Sequence, residues 1–339
     1  MNQVSLRVQN AASSWQRRFA AIIFITTIAA AQAEITPIRL QKMTEAMGTA
    51  FTIDMYGSNR AGMEKTAKEA FEEAHRLDRM LSNYIPDSEL NRVNANAADS
   101  PVTISPELFH LLSICVGDSK ASDGTFDITV GPLMKVWGFY KDSGHLADVS
   151  SVREALRSVG WQYMTLNPIA STVSFNKRGM NLDMGGVGKG YAVDRMVQIL
   201  RQSGVTAALI SAGGSSIYGL GAPPTEPRGW RLRIRDPKDE GKHVAEVYLK
   251  DDSLSTSGSY EKLFWADGKI YSHIMDPRTG FPSQGMLSVS IVAPKTLDSE
   301  IWAKPYYILG RAWTEQHKPK SFRVLLCEDR PGATCSWLE

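Results

Sequence analysis

The chain has 339 residues, of which 43% are hydrophobic and 22% are charged, and its formal net charge is +2 at pH 7. These values are ordinary for a globular protein of one large domain or two modest ones, and they exclude a disordered chain. The weak charge excess gives no indication of nucleic-acid binding. The three cysteines form neither a disulfide framework nor a zinc pattern.

The N-terminal segment has the pattern of an export signal. Arg7, Arg17 and Arg18 precede the apolar run FAAIIFITTIAA, which is shorter than the roughly 20 residues that a membrane helix needs. Because the small residues of AQA end at Ala33, we expect cleavage there and a mature chain of residues 34–339. An uncleaved anchor is the alternative. No cysteine lies at the cleavage site, where residue 34 is Glu, so the product is not expected to be lipid-anchored. The export route, Sec or twin-arginine, stays open.

From Met47 onwards, helical and strand patterns follow one another without repeats. The segment MGTAFTIDMYG alternates like a strand, and apolar spacing predicts a helix at Met63–Asn83. Further helices are predicted at Pro106–Cys115, Ser151–Val159 and Val193–Gln202, and further strands at Thr165–Phe175, Ala207–Ile210, Trp230–Ile234, Glu246–Leu249, Ser288–Val292 and Phe322–Leu326. Since both kinds of element occur in runs, we expect an α+β fold with largely antiparallel pairing.

The cysteines allow one disulfide. In an oxidising compartment Cys327 and Cys335 can pair and close a small loop. Cys115 lies in a predicted helix and is expected to be a buried thiol.

The stretch NLDMGGVGKGYAVDR, Asn181 to Arg195, leads from a predicted strand end at Leu182 into a helix. One interpretation is a tight turn in which glycines adopt positive φ. The other is a phosphate site, because glycines expose backbone N–H groups, a helix N-terminus favours anions, and Lys189 adds a positive charge. Gly190 follows the lysine where a Walker A loop needs Ser or Thr, so that motif is excluded. Asp194 is expected to be a solvated or capping acid.

Seven distinctive motifs follow one another along the mature chain. They are Met47-Gly48-Thr49, LDRMLSNYIPDSELNRVNAN from Leu77, DGTFDITVGPLMKVWGFY from Asp123, NLDMGGVGKGYAVD from Asn181, ALISAGG from Ala208, WRLRIRDP from Trp230, and LSTSGSYE with SHIMDPRTGFP through Pro282. In this order the chain resembles the ApbE-type FAD:protein FMN transferases. The resemblance covers nearly all of the mature chain.

The resemblance implies a periplasmic transferase with an ApbE-like, T-fold-related α+β domain of largely antiparallel sheets. Such an enzyme takes FAD, attaches its FMN part to a threonine hydroxyl of an acceptor protein, and releases AMP, with Mg²⁺ on the pyrophosphate. The acceptor of such enzymes is typically a membrane redox subunit with a periplasmic domain. In lacking a lipid anchor, the chain resembles the soluble NosX-type branch of the family.

The resemblance also assigns roles to residues of this chain. It implies catalytic roles for Asp183, Lys189 and Glu300, and a metal-binding carbonyl at Gly186. The matching nucleotide contacts, besides Asp183 and Lys189, are Met47, Tyr84, Thr125, Phe126, Asp127, His273 and Met275. Tyr84 would stack on a ring. The residues alone allow a structural alternative for several of these: Tyr84 and Phe126 as core aromatics, Asp127 as a helix cap, and His273 as a partner of a turn.

The chain departs from the family pattern at the metal helix, which in the family reads Asp-Ala-x-x-Thr before Leu-Gly. Here the run is SEIWAKPYYILG, Ser299 to Gly310, which places Glu300 on the aspartate and Lys304 on the threonine. Glu can ligate magnesium, whereas Lys cannot. A second register makes Asp298 the acid. Pro305 is expected to weaken the helix.

Three explanations of Lys304 are open. In the first, Glu300 and Asp298 hold the ion with water at the vacated position. In the second, the Lys304 ammonium replaces part of the metal's charge. In the third, Glu300 and Lys304 only pair on a helix face. We expect the first, a magnesium-dependent enzyme whose rate rises in Lys304→Thr. The alternative function is a non-catalytic periplasmic FAD-binding protein. A weaker hypothesis, from Gly332-Ala333-Thr334, is self-modification at Thr334.

Overall fold

The computed structural model describes residues 37–140, 144–330 and 335–338. The helices are α1 (Arg60–Leu81), α2 (Glu89–Asn96), α3 (Pro106–Ala121), α4 (Gly131–Val136), α5 (Val149–Leu156), α6 (Gly188–Gln202) and α7 (Thr296–His317), with a short 3-10 helix at Trp161–Tyr163. The strands are β1 (Ile38–Ala46), β2 (Thr49–Gly57), β3 (Val102–Thr103), β4 (Met164–Asn167), β5 (Thr172–Phe175), β6 (Ala207–Ala212), β7 (Ser216–Leu220), β8 (Trp230–Asp236), β9 (Asp239–Leu249), β10 (Asp252–Gly258), β11 (Leu263–Ala266), β12 (Lys269–Ser272), β13 (Met275–Asp276), β14 (Phe281–Pro282), β15 (Met286–Ala293), β16 (Arg323–Glu328) and β17 (Ser336–Trp337).

An eight-stranded sheet organises the described part of the chain. Its strand order is β1-β2-β6-β7-β10-β15-β16-β17, and every neighbouring pair is antiparallel. Side chains alternate across β2, where Phe51, Ile53 and Met55 are buried. Helices α1, α6 and α7 pack against this sheet. The predicted α+β fold with antiparallel pairing is therefore confirmed.

Helix α6 is the central helix, because α1 packs on one side of it and α7 packs on the other. Its apolar residues recur at helical spacing, so that Ala192, Val193, Met196, Val197 and Leu200 are all buried. The N-terminal turn of α6 therefore lies beside α7, although more than a hundred residues separate them along the chain.

Three local predictions are wrong in detail. Thr165–Phe175 is not one strand but the hairpin of β4 and β5, with Ser171 at a positive φ of 49°. No strand ends at Leu182, since Asn181 forms only an isolated bridge to Val130. Helix α7 continues through Pro305 and is interrupted at Gly310, where φ is 73°. Burial of side chains around the proline offsets the lost hydrogen bond.

The predictions about the cysteines are confirmed. Cys327 and Cys335 form a disulfide, and Cys115 is a buried free thiol. Among the described helices, none is long and apolar enough to cross a membrane. The predicted signal segment 1–33 and Thr334 lie outside the described residues, so both assignments stay predictions.

Candidate functional site

The glycine turn before α6 is fixed by its own backbone. The Asp183 N–H donates to the Ile128 carbonyl at 2.7 Å, and the Asp183 carboxylate accepts the Gly185 N–H at 2.6 Å. The Gly188 N–H donates to the Met184 carbonyl at 2.8 Å. Helix α6 then begins at Gly188 without a side-chain cap. The turn is thus held in one conformation at the helix N-terminus, where an anion is favoured.

The glycines of this turn serve close approach rather than positive φ. None of Gly185, Gly186, Gly188 and Gly190 is among the positive-φ residues of the described chain. A Cβ on Gly186 would lie 3.0 Å from the Lys304 Cε atom, and a Cβ on Gly190 would lie 2.7 Å from the Glu300 carboxylate. The interpretation of a positive-φ turn is therefore wrong for these four residues. They allow α7 to reach the turn.

Lys189, Glu300 and Lys304 meet at this approach, and we call them the ammonium cluster. The Lys189 Nζ lies 3.1 Å from the Glu300 carboxylate, which also accepts the Gly190 N–H. The Lys304 Nζ donates to the Gly186 carbonyl at 3.2 Å and to the Glu300 carbonyl at 2.7 Å. The Glu300 side chain is only 4% exposed, whereas that of Lys189 is 25% exposed. The cluster is thus a buried carboxylate on which the charges of two ammonium groups act.

The electrostatics of the cluster leave an excess of positive charge. Burial acts to raise the pKa of Glu300, but Lys189, Lys304 and the Gly190 N–H outweigh it, so the pKa is lowered. Burial lowers the pKa of Lys304 to about 8, and Lys189 acts in the same direction. Burial also lowers the pKa of His273 to about 4, with Lys189 and Lys304 adding to the effect. Near neutral pH the two ammonium groups thus exceed the one carboxylate, and the imidazole is neutral.

The side chains of the cluster do not fit the expected magnesium site. Magnesium takes oxygen ligands in near-octahedral geometry. Here Lys304 already donates to the Gly186 carbonyl, and the Glu300 carboxylate is shared by Lys189 and a backbone N–H. In the described ranges, no three or more His, Cys, Asp or Glu side chains are grouped to hold a metal. The explanation in which Lys304 only pairs with Glu300 on a helix face is also wrong, since the Glu300 carboxylate is buried and Lys304 bonds to its carbonyl.

Asp298 is not brought to the cluster. It precedes Glu300 by two residues in α7, which turns the two side chains apart by about 200° around the helix axis. Burial raises the pKa of Asp298, and the charge that opposes this is Lys295. The carboxylates on which it acts are Asp118 and Asp194. Its assignment as a metal ligand stays a prediction without support from these contacts.

A cavity of about 740 Å³ lies next to the segment that leads into the turn. Its lining includes Asn83, Tyr84, Tyr140 and Asn181. Tyr84 is 66% exposed and meets Tyr140 edge to face at 6.2 Å, so it is not a core aromatic. After burial, the charge of Asp183 is the next cause that raises the pKa of both tyrosines, which places this carboxylate next to the cavity.

One polar atom in the cavity wall is unpaired. The Asn83 Nδ2 donates to the Tyr140 hydroxyl at 3.2 Å, whereas its Oδ1 is buried without a hydrogen-bond partner among the described residues. Asn83, Tyr140 and Asn181 were not singled out from the sequence. Each of them lies within one of the motifs quoted from the sequence. A motif, however, does not show which of its side chains face a cavity.

The predicted contacts Thr125, Phe126 and Asp127 belong to the interior. The Thr125 hydroxyl donates to the Ser122 carbonyl at 2.7 Å, and Phe126 is part of the main hydrophobic core. The Asp127 carboxylate accepts the N–H and hydroxyl of Thr129 and the Trp161 N–H, each at 2.8 Å. It closes the turn to Thr129 and also accepts the first N–H of the 3-10 helix at Trp161–Tyr163. The side chains of these three residues therefore do not reach the ammonium cluster.

Of the remaining predicted contacts, Met47 and His273 lie near the glycine turn or the lysines, whereas Met275 lies in the interior. Met47 turns the β1–β2 hairpin at a φ of 52°, and its sulfur lies against Gly188, next to the turn. His273 lies close enough to the two lysines for their charges to act on it, and its ring Nδ1 is 3.4 Å from the Lys262 carbonyl. Met275 is buried in a separate apolar cluster with Trp137.

Asp194 is a capping acid, one of its two predicted roles, but it caps a different helix. Its carboxylate accepts the N–H groups of Thr296 at 2.8 Å and Leu297 at 2.9 Å. It therefore caps the N-terminus of α7 from α6, rather than its own helix or solvent. This contact places α7, and with it Glu300 and Lys304, over the glycine turn.

Comparisons with known proteins identify the family of this chain. The sequence model of the ApbE family matches residues 47–323. The FAD:protein FMN transferase of Treponema pallidum is 33% identical over 279 residues, which is 78% of this chain and 77% of the relative. That of Escherichia coli K12 is 32% identical over 243 residues, 69% of this chain and 68% of the relative.

Solved structures show the same fold. The ApbE protein of Thermotoga maritima superposes with a TM-score of 0.81 at 25% identity and covers 89% of this chain and 97% of its own. The Pseudomonas stutzeri flavinyl transferase ApbE superposes with a TM-score of 0.78 at 24% identity over 89% and 95% of the two chains. With a family match over most of its length and a relative above 30% identity, this chain belongs to the ApbE family.

Proposed function

We propose that the protein is an FAD:protein FMN transferase, as its relatives are named. The observation that carries the proposal is the ammonium cluster at the N-terminus of α6, together with a cavity next to Asp183 whose lining includes Tyr84 and Tyr140. FAD presents the two matching parts, an anionic pyrophosphate and flat apolar rings. A cavity of about 740 Å³ lies within the usual range of small-molecule sites.

The reaction needs little beyond positioning and charge. A threonine hydroxyl of the acceptor attacks the phosphorus on the FMN side, a new P–O bond forms, and the P–O bond to AMP breaks. The hydroxyl proton leaves to a base, and AMP departs with the bond's electron pair. Negative charge therefore grows on the AMP phosphate, where preorganised cations lower the barrier. Lys189 and Lys304 supply that charge in this proposal.

The other residues have supporting roles in the proposal. Glu300 holds Lys189 and screens the repulsion between the two lysines. Asp183 uses acceptor capacity on the Gly185 N–H and keeps the rest for the nucleotide or the hydroxyl proton. Tyr84 offers an exposed ring for stacking on the cavity side. His273 and Met47 complete the nucleotide contacts, whereas Thr125, Phe126, Asp127 and Met275 support the site from within.

The setting of the reaction is part of the proposal and rests on the sequence. The apolar segment ending at Ala33 supports export to the periplasm, and the disulfide between Cys327 and Cys335 is consistent with an oxidising compartment. The partner is then a flavin-acceptor protein, for which a membrane redox subunit with a periplasmic domain is our first candidate. Magnesium stays an expectation of the family resemblance that the cluster's side chains do not favour.

Titration of FAD into the apoprotein, followed by flavin fluorescence, tests the proposal. Lys189→Ala removes one charge-assisted contact to the pyrophosphate, so affinity should fall by about 1.5–3 kcal/mol, or roughly ten- to a hundredfold. The control is Lys65→Ala on the outer face of α1, which removes an equal charge from a side chain that is 79% exposed. Equal affinities for the two variants would refute the assignment of the site.

A non-catalytic FAD-binding protein is the second candidate, and the observation that favours it is Lys304 at a metal-ligand position. Incubation with FAD and an acceptor domain separates the two candidates. A transferase should release AMP in step with protein-bound flavin fluorescence on a denaturing gel. A binding protein should retain FAD unchanged in every acceptor mixture.

A further inference from the structure

The Lys304 ammonium donates its hydrogen bonds to the backbone rather than to a side chain. Its two acceptors are both backbone carbonyls, Gly186 at 3.2 Å and Glu300 at 2.7 Å. A carbonyl pair with a neighbouring carboxylate is a set of oxygen donors of the kind that surrounds a hard cation. In this chain an ammonium group of the protein itself lies among those oxygens.

The surrounding backbone is shaped for the lysine stem. A side chain on Gly186 would crowd it, because a Cβ there would lie 3.0 Å from Cε and 3.3 Å from Nζ of Lys304, so the end of the lysine would have to move by a few tenths of an ångström. Gly190 has the same relation to Glu300 one turn earlier in α7, at 2.7 Å. Glycine at both positions allows the helix that carries Lys304 to lie this close to the turn.

The ammonium still has capacity for a ligand. An ammonium has three N–H donors, and two of those of Lys304 are directed at the carbonyls of Gly186 and Glu300. The second ammonium, Lys189, lies 3.1 Å from the carboxylate of the same glutamate. An anion at the N-terminus of α6 would therefore meet two lysines and the positive end of the helix dipole together.

We infer that the Lys304 ammonium takes the place of a divalent cation in this site, so that the protein binds the pyrophosphate of FAD without a metal ion. The inference rests on the proposed function for its ligand. It reverses the expectation from sequence that the enzyme is magnesium-dependent and that Lys304→Thr raises its rate. A tethered ammonium brings one positive charge where magnesium brings two, so the gain is independence from free metal rather than a stronger field.

The test is FAD titration of the wild type in excess EDTA and again with magnesium. The expected result is an affinity that changes less than about twofold between the two conditions, since no metal ligand is completed. Lys304→Met keeps the stem that packs on Gly186 and removes the charge. In EDTA it should bind FAD at least about tenfold more weakly, with an unchanged thermal midpoint for unfolding.

Lys304→Thr adds a second arm. It places a hydroxyl four residues after Glu300, so FAD binding should become magnesium-dependent, weak in EDTA and recovered by magnesium. Lys295→Met, an exposed lysine just before α7, is the matched control and should behave as the wild type.

The outcomes separate the two claims. Wild-type binding that is lost in EDTA and restored by magnesium would overturn the inference and leave the proposed function intact, and so would a Lys304→Met protein with wild-type affinity. A wild type that binds FAD in neither condition would refute the proposed function and the inference with it.

Discussion

Two regions of the molecule carry buried or half-buried carboxylates, and they use them in opposite ways. In the ammonium cluster, Glu300 faces two lysines, and the positive charge is in excess. In the turn around Asp127, the carboxylate accepts donors only from neutral groups of the chain, namely Thr129 and the Trp161 N–H. The first region has charge left over for a ligand. The second region has none.

The difference shows that some motif residues serve the fold rather than the substrate. Thr125, Phe126 and Asp127 belong to the same family resemblance as Lys189, and yet their side chains are directed into the core. Their contribution to the site is indirect: the loop that they fix supplies the Ile128 carbonyl, which accepts the Asp183 N–H at 2.7 Å. Substitution should therefore distinguish the regions by what fails first, binding or stability.

The largest effect is expected for Glu300→Gln, which removes the only carboxylate of the ammonium cluster. The two lysines then lie close together without a counter-charge, and breaking a buried pair in this way typically costs about 3–5 kcal/mol of folding free energy. Urea unfolding of the apoprotein measures this loss.

FAD should reverse much of that loss, because the pyrophosphate supplies the missing negative charge and binds only the folded state. Unfolding repeated with excess FAD should thus show a larger stabilisation of Glu300→Gln than of the wild type. Equal stabilisation of both proteins would show that the ligand does not meet the lysines.

In the second region, Asp127→Ala should reduce stability by about 2–4 kcal/mol, since it leaves the buried Trp161 and Thr129 donors without an acceptor. FAD affinity of the folded fraction should stay near the wild-type value. Asp148→Ala, at the exposed N-cap of α5, is the control for loss of an aspartate that accepts backbone N–H groups and should cost much less. A large loss of FAD affinity at full stability would place Asp127 in the binding site after all.

Sequence reasoning located the glycine turn and Lys189 because those signals are local, a run of glycines directly before a helix. It also predicted the strand pattern that forms the sheet. It could not place Lys304 on the Gly186 carbonyl, because that contact joins residues 118 positions apart. The same holds for Asp194, which caps a helix 102 residues away. Such contacts depend on which helices pack together, and residue spacing within one element carries no information about that.

Asp194 and Asp183 sharpen the comparison within one segment. Asp194→Asn weakens the cap that places α7 and should cost about 1–2 kcal/mol of stability, with a secondary loss of FAD affinity. Asp183→Asn should lower FAD affinity with little change in stability. The pair is measured by thermal unfolding and FAD titration, and the reverse assignment of effects would show that Asp183 does not contact the nucleotide.

The smallest effect concerns His273, whose imidazole reports on the charge of the cluster. Burial lowers its pKa from 6.5 to about 4, and the charges of Lys189 and Lys304 add to this shift. Since the folded pKa is below the unfolded value, the stability contribution of the neutral ring is complete above pH 6.5 and is lost as the pH falls through about 4. Because the ring is half-buried, we expect this contribution to stay below about 1 kcal/mol.

Removing a neighbouring positive charge should raise the pKa of His273 toward its ordinary value. An NMR titration of the imidazole in Lys304→Met should therefore show a higher midpoint than in the wild type, while Lys65→Ala should leave it unchanged. Burial is the larger cause and persists in the variant, so the shift should be partial. An identical midpoint in the wild type and Lys304→Met would mean that the ammonium lies too far from the ring to act on it, and His273 would then belong with Asp127 among the residues that only support the fold.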